Sequence, residues 1–110
     1  MALTKYFKDT IMAPAKRDSK FRHSMLEVAL NEFLAGDIDQ AKAMLKDYIN
    51  AIISFTKLAD DTGIHIKSLQ RMLGPNGNPT LSHFCEILKA IQTSESIALN
   101  AQLQQKILAD

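Results

Sequence analysis

Residues Ser54–Ile91 read SFTKLADDTGIHIKSLQRMLGPNGNPTLSHFCEILKAI, and their spacing decides the fold. Ser54 can cap a helix, FTKLADDT, with Phe55, Leu58 and Ala59 inward. Gly63 stops it, because only glycine adopts a positive backbone angle cheaply. Ile64 follows as an apolar plug for the turn, and Leu69 lies five positions on, where it can anchor a second short helix with Met72 and Leu73. A small residue at Ala59 lets that second helix cross the first closely. Each of these features is common alone. Together they meet the demands of a helix-turn-helix, in which a supporting helix and a second, outward-lying helix are locked at a fixed angle. The run GPNGNP, Gly74 to Pro79, is then a loop. Thr80 or Ser82 opens a further helix with Leu81, Phe84, Cys85, Leu88 and Ile91 apolar.

Upstream, Asp18 or Ser19 caps a helix to about Leu34, with a broad apolar stripe of Phe21, Met25, Leu26, Val28, Ala29, Leu30, Phe33 and Leu34. Gly36 ends it and Asp37 caps the next, which runs to about Ile53 through Ile38, Ala41, Leu45, Tyr48, Ile49 and Ile52. The short connection predicts an antiparallel helical hairpin over 18–53. Residues 1–16 read as an arm or a short first helix stopped by Pro14. The tail, 92–110, carries two periods. Ile97, Leu99, Ala101 and Leu103 alternate as in a strand, while Leu99, Leu103 and Ile107 repeat every four as in a helix. The expectation is one all-α domain over 1–110, a bundle of about five helices containing a helix-turn-helix of phage-repressor type and ending in a short C-terminal strand or helix.

At 110 residues the chain is long enough for a core without metal or disulfide staples. It is 46% hydrophobic and 23% charged, as in ordinary globular domains. The single cysteine, Cys85, has no internal partner, which suits a reducing compartment. No apolar run reaches a membrane-spanning length, and MALTKYFKDT lacks a secretory apolar stretch, so a cytoplasmic location is expected. Net charge is +1, unevenly spread. Residues 1–23 carry +4 through Lys5, Lys8, Lys16, Arg17, Lys20 and Arg22 against two aspartates, and residues 24–53 carry −3. A basic arm can touch phosphate or simply be solvated.

On the second helix of the pair, His65, Ile66, Lys67, Gln70 and Arg71 are expected to face outward. Lys67 and Arg71 can donate to guanine O6 and N7, Gln70 can pair with adenine or stay solvated, and Ile66 can meet a thymine methyl. His65 can equally be the helix cap. Ser54, Thr56 and Ser68 are candidate phosphate contacts, with the amides that open the supporting helix. Asn76 and Asn78 sit in a loop whose small residues would allow close approach to a DNA strand. Catalytic chemistry finds no support. GPNGNP lacks the Gly-Lys-Ser/Thr of a phosphate-binding loop. His83 and Cys85 point about 200° apart on a helix, so they form no joint metal or nucleophile site, and Cys85 reads as core. Asp60 and Asp61 are adjacent rather than facing, and His23 has no partner. No cofactor or metal is expected.

The stretch from Asp47 to Ile91, with LEVALNEFLAGDIDQAKAMLKDYI before it, resembles the HigA-like addiction-module antidote proteins, a helix-turn-helix antitoxin group within the phage-repressor superfamily. The resemblance covers roughly residues 3–92 and is most specific from Lys67 to Thr80, in the pattern RMLG…GNPT. It implies a DNA-binding antitoxin that neutralises a RelE/ParE-like toxin and represses its own operon as a homodimer, with Ile66, Lys67, Gln70 and Arg71 at recognition-helix positions. No toxin-contact motif carries over, and the tail after Gln92 departs from the group's pattern of a short strand. Two other readings stand beside it: a stand-alone prophage-type repressor without a toxin, and a helix-turn-helix protein-interaction module that does not bind DNA.

Overall fold

A computed structural model describes residues 18–107. The expected N-terminal arm, 1–16, lies outside them. Among the described residues the chain is an all-α globule of five α-helices with no strand. These are α1 (Ser19–Ala35), α2 (Ile38–Tyr48), α3 (Phe55–Thr62), α4 (Ile66–Met72) and α5 (Leu81–Glu95).

The caps follow the side chains that can make them. The Asp18 carboxylate accepts from the Lys20 and Phe21 amides at 3.0 and 3.3 Å, satisfying donors that the first turn of α1 leaves unpaired. At the other end Gly36 takes φ 87°, and the Asp37 and Gly36 amides donate back to the Glu32 and Phe33 carbonyls. This is a Schellman closure, and it turns the chain within two residues so that α2 packs along α1. Asp37 then caps α2 through the Gln40 amide.

The helix expected to run to Ile53 changes character at its end. Ile49–Ile53 is a single π-helical turn, closed by the Ser54 amide donating to the Ile49 carbonyl at 2.7 Å. Ser54 itself has φ 91°, a strained value for a residue with a side chain. Its hydroxyl offsets part of that strain by accepting from the Lys57 amide at 3.1 Å and so starting α3. The π turn buries Ile49, Ala51 and Ile53.

One core joins all five helices: Leu26 and Ala29 of α1, Leu45 and Tyr48 of α2, Ile49 and Ile53 of the π turn, Phe55 and Leu58 of α3, Leu69 of α4, Leu73 after it, and Ile87, Ala90 and Ile91 of α5. α5 also meets α1 through Phe33 and Phe84, whose rings sit edge to face at 4.9 Å, and through Arg22 and Glu95 at 3.5 Å. The Tyr48 phenol is buried and finds no hydrogen-bond partner among the described residues. Burial, with the nearby Glu95 carboxylate and despite Arg22, pushes its pKa up to about 12.

Three expectations about the C-terminal third do not hold. Cys85 is exposed, not core. The inward face of α5 is Phe84, Ile87, Ala90 and Ile91, a stripe spaced by three and four, and Cys85 falls beside it. Leu81, read with the same stripe, is 80% exposed, and Phe21, Val28, Leu34 and Ile38 at the edges of the α1 and α2 stripes are exposed as well. The tail is helical only to Glu95, where α5 ends; Ser96 takes the left-handed conformation, and from there to Ile107 the described residues are neither strand nor helix. Only Ile97 and Leu99 lean on the core, and the Leu99 amide donates to the Gln92 side-chain oxygen at 2.8 Å. No helix among the described residues is long and apolar enough to cross a membrane.

Candidate nucleic-acid interface

α3 and α4 are joined by three residues, Gly63–Ile64–His65, and the turn is closed from both sides. Gly63 has φ 75°, and its amide donates to the Ala59 carbonyl at 2.9 Å. Thr62 bridges the corner: its hydroxyl donates to the Leu58 carbonyl at 2.8 Å and accepts from the Ile64 amide at 3.2 Å. Ile64 and Ala59 pack against the core, as the spacing requires. His65 is the cap of α4, its Nδ1 accepting from the Lys67 amide at 3.2 Å.

α4 has only seven residues and buries one of them, Leu69. That single anchor turns the opposite side outward. Lys67, Gln70 and Arg71 are exposed and lie three and four residues apart, on one face. Ile66 does not join them. Three residues before Leu69, on the same side of the helix, it is half-buried and packs against the core. Ser68 is half-buried as well. Of the remaining candidates, Thr56 is exposed on the first turn of α3, Ser54 is exposed with its hydroxyl engaged as a cap, and Asn76 and Asn78 are exposed in the loop. Asp60 and Asp61 are exposed, and Asp61 is paired with Lys57 at 2.7 Å. From Thr62 to Cys85 the chain has no carboxylate, while Lys67 and Arg71 are both cationic. α4 itself therefore carries two cations and no acid, the electrostatic sign that phosphate requires.

The loop after α4 is fixed by two residues, one in the loop and one on α2, whose role the sequence does not announce. Gly74, Pro75, Asn76 and Gly77 form a β-turn, with the Gly77 amide donating to the Gly74 carbonyl at 3.3 Å. The turn folds back so tightly that a Cβ on Gly77 would overlap the Arg71 carbonyl oxygen. The second residue is Lys42, on α2, which is only 3% exposed. Its ammonium donates to the Gly74 carbonyl at 2.9 Å and the Gly77 carbonyl at 2.5 Å, with the Asp39 carboxylate 3.8 Å away. A lysine 32 and 35 residues distant in sequence carries no local signal for this contact.

Among the described residues, no group of three or more His, Cys, Asp or Glu side chains is placed to hold a metal. A groove lies elsewhere, between α3 and α5, lined by Lys57, Asp61, Glu86 and Lys89. It is shallow and mixed in charge, and α4 contributes nothing to it. Compared with family models, with curated proteins and with solved structures, the chain finds no match.

Proposed function

We propose that this chain is a DNA-binding antitoxin of the cytoplasm that represses its own operon as a homodimer and neutralises a RelE/ParE-like toxin. The observation that carries the DNA-binding part is the orientation of α4. Leu69 pins it to the core, and Lys67, Gln70 and Arg71 stand outward on a helix that carries no carboxylate of its own. A helix so held can lie in a major groove, where Arg71 and Lys67 donate to guanine and Gln70 pairs with adenine. Thr56 on the first turn of α3 and the loop residues Asn76 and Asn78 are exposed and would meet the sugar-phosphate strands. A dimer would read two half-sites about 34 Å apart, or a multiple of that distance.

The antitoxin part rests on the resemblance carried by residues 3–92, densest from Lys67 to Thr80. It is tested by co-expressing the chain with the protein encoded beside it and purifying through a tag on the chain. Retention of a small neighbour-encoded protein, whose toxicity the chain suppresses, is the expected result. A chain that binds its promoter and retains no neighbour is instead a stand-alone repressor. One that retains a neighbour and binds no DNA is an interaction module.

A further inference from the structure

We propose that Lys42 is a positioning residue for DNA recognition: its buried ammonium sets the pose of Arg71 and of the 74–79 loop without itself touching DNA. The inference rests on the reading of α4 as the DNA-contacting helix.

The reasoning begins with the cost of the contact. A buried ammonium is unfavourable unless its donors are met. Lys42 meets them with two carbonyls from one turn, Gly74 and Gly77, which ties that turn to α2. The Gly74 carbonyl is shared, since it also accepts from the Gly77 amide. Gly77 in turn presses on the Arg71 carbonyl, and the Gly74 amide donates to that same oxygen at 3.1 Å. Lys42, Gly74, Gly77 and the Arg71 backbone therefore form one connected unit. Arg71 is the last exposed cation of α4, and its backbone lies at the end of the helix where fraying would otherwise begin. The ammonium also sits where the carbonyl ends of α4 leave partial negative charge, which favours a cation there. At 3% exposure the lysine is not available to phosphate.

The test compares the full-length chain with Lys42→Met and Lys42→Arg. Each is titrated with a duplex of the chain's own promoter and with a scrambled duplex of equal length, across a salt series. Temperatures are chosen at which circular dichroism shows each protein folded. Lys42→Met removes the donors. Lys42→Arg keeps the charge and the fold but replaces a compact ammonium with a planar fork that fits the two carbonyls poorly.

Promoter affinity is expected to fall at least about tenfold in Lys42→Met and less in Lys42→Arg, the scale of one misplaced base contact. Scrambled-duplex affinity and the salt slope should be unchanged. Amide exchange at Gly77 should accelerate in both variants while Leu45 and Leu58 stay protected. If Lys42→Met does not fold, Lys42→Arg alone decides through the same readouts.

Unaltered promoter affinity with accelerated exchange at Gly77 would overturn the positioning role and leave the proposed function standing. A salt slope smaller by about one would show that the lysine contacts phosphate, which also overturns it. A wild-type chain that does not discriminate the two duplexes overturns the proposed function and this role together.

Discussion

Among the described residues two longer stretches lack regular structure, and they are held very differently. The loop from Gly74 to Pro79 is tied by a buried ammonium, a β-turn hydrogen bond and a glycine pressed against Arg71. The tail from Ser96 to Ile107 is tied by the αL closure of α5, one bond to Gln92 and two partly buried apolar side chains, Ile97 and Leu99. Beyond Leu99 it is exposed throughout, Leu103 and Ile107 included. Irregular backbone becomes rigid when its polar groups find buried partners, not when it is short or rich in proline. In the loop they find them, and the loop lies beside the helix proposed to read DNA.

The comparison makes graded predictions. The largest effect is expected at Gly77→Ala, where the added methyl meets backbone that cannot swing aside. Chemical denaturation should show a loss of about 3 kcal/mol, the upper range for overpacking. Lys42→Met should follow at about 2 kcal/mol, because it takes a buried donor from the Gly74 and Gly77 carbonyls and leaves only Gly74's with a backbone bond, from the Gly77 amide. Losses under about 0.5 kcal/mol at both positions, the range of ordinary surface changes, would mean the loop is no better held than the tail.

Changes in the tail should be small and can be favourable. Ser96 stands at φ 54° in the closure of α5, with the Ile97 and Ser96 amides donating to the Gln92 and Thr93 carbonyls. Glycine suits that position better, so Ser96→Gly should raise stability by about 0.5–1 kcal/mol. The double change Leu103→Ser with Ile107→Ser should move the melting midpoint of the monomer by no more than about 0.5 kcal/mol in free energy. A large loss that depends on protein concentration would instead place these side chains in a contact between copies.

The same contrast explains what could be read in advance. The Ala59–Gly63–Ile64–Leu69 spacing was legible because helix stops and apolar anchors act over a few residues, and Gly63, Ile64 and Leu69 do what their types require. The caps at Asp18, Asp37, Ser54, His65 and Thr80 were legible for the same reason. Lys42 was not, because its partners lie more than thirty residues away and a lysine in an amphipathic helix ordinarily marks the solvent side. Cys85 misled because small apolar residues at the edge of a stripe fit either side of a helix. Ile66 misled similarly, as outward and inward positions on so short a helix depend on which residue anchors it. The tail carried both periods because its apolar residues satisfy neither a paired strand nor a packed helix face here.

The central claim, that the outward face of α4 reads DNA, is tested most directly by titrating the wild-type chain and a Lys67→Ala, Arg71→Ala double variant against a duplex of its own promoter. Arg71 alone should contribute about 1–3 kcal/mol at its base pair, and the pair should account for most discrimination against a scrambled duplex. The account predicts selective promoter binding by the wild type and its loss in the folded double variant. Equal, sequence-specific binding by both would contradict it.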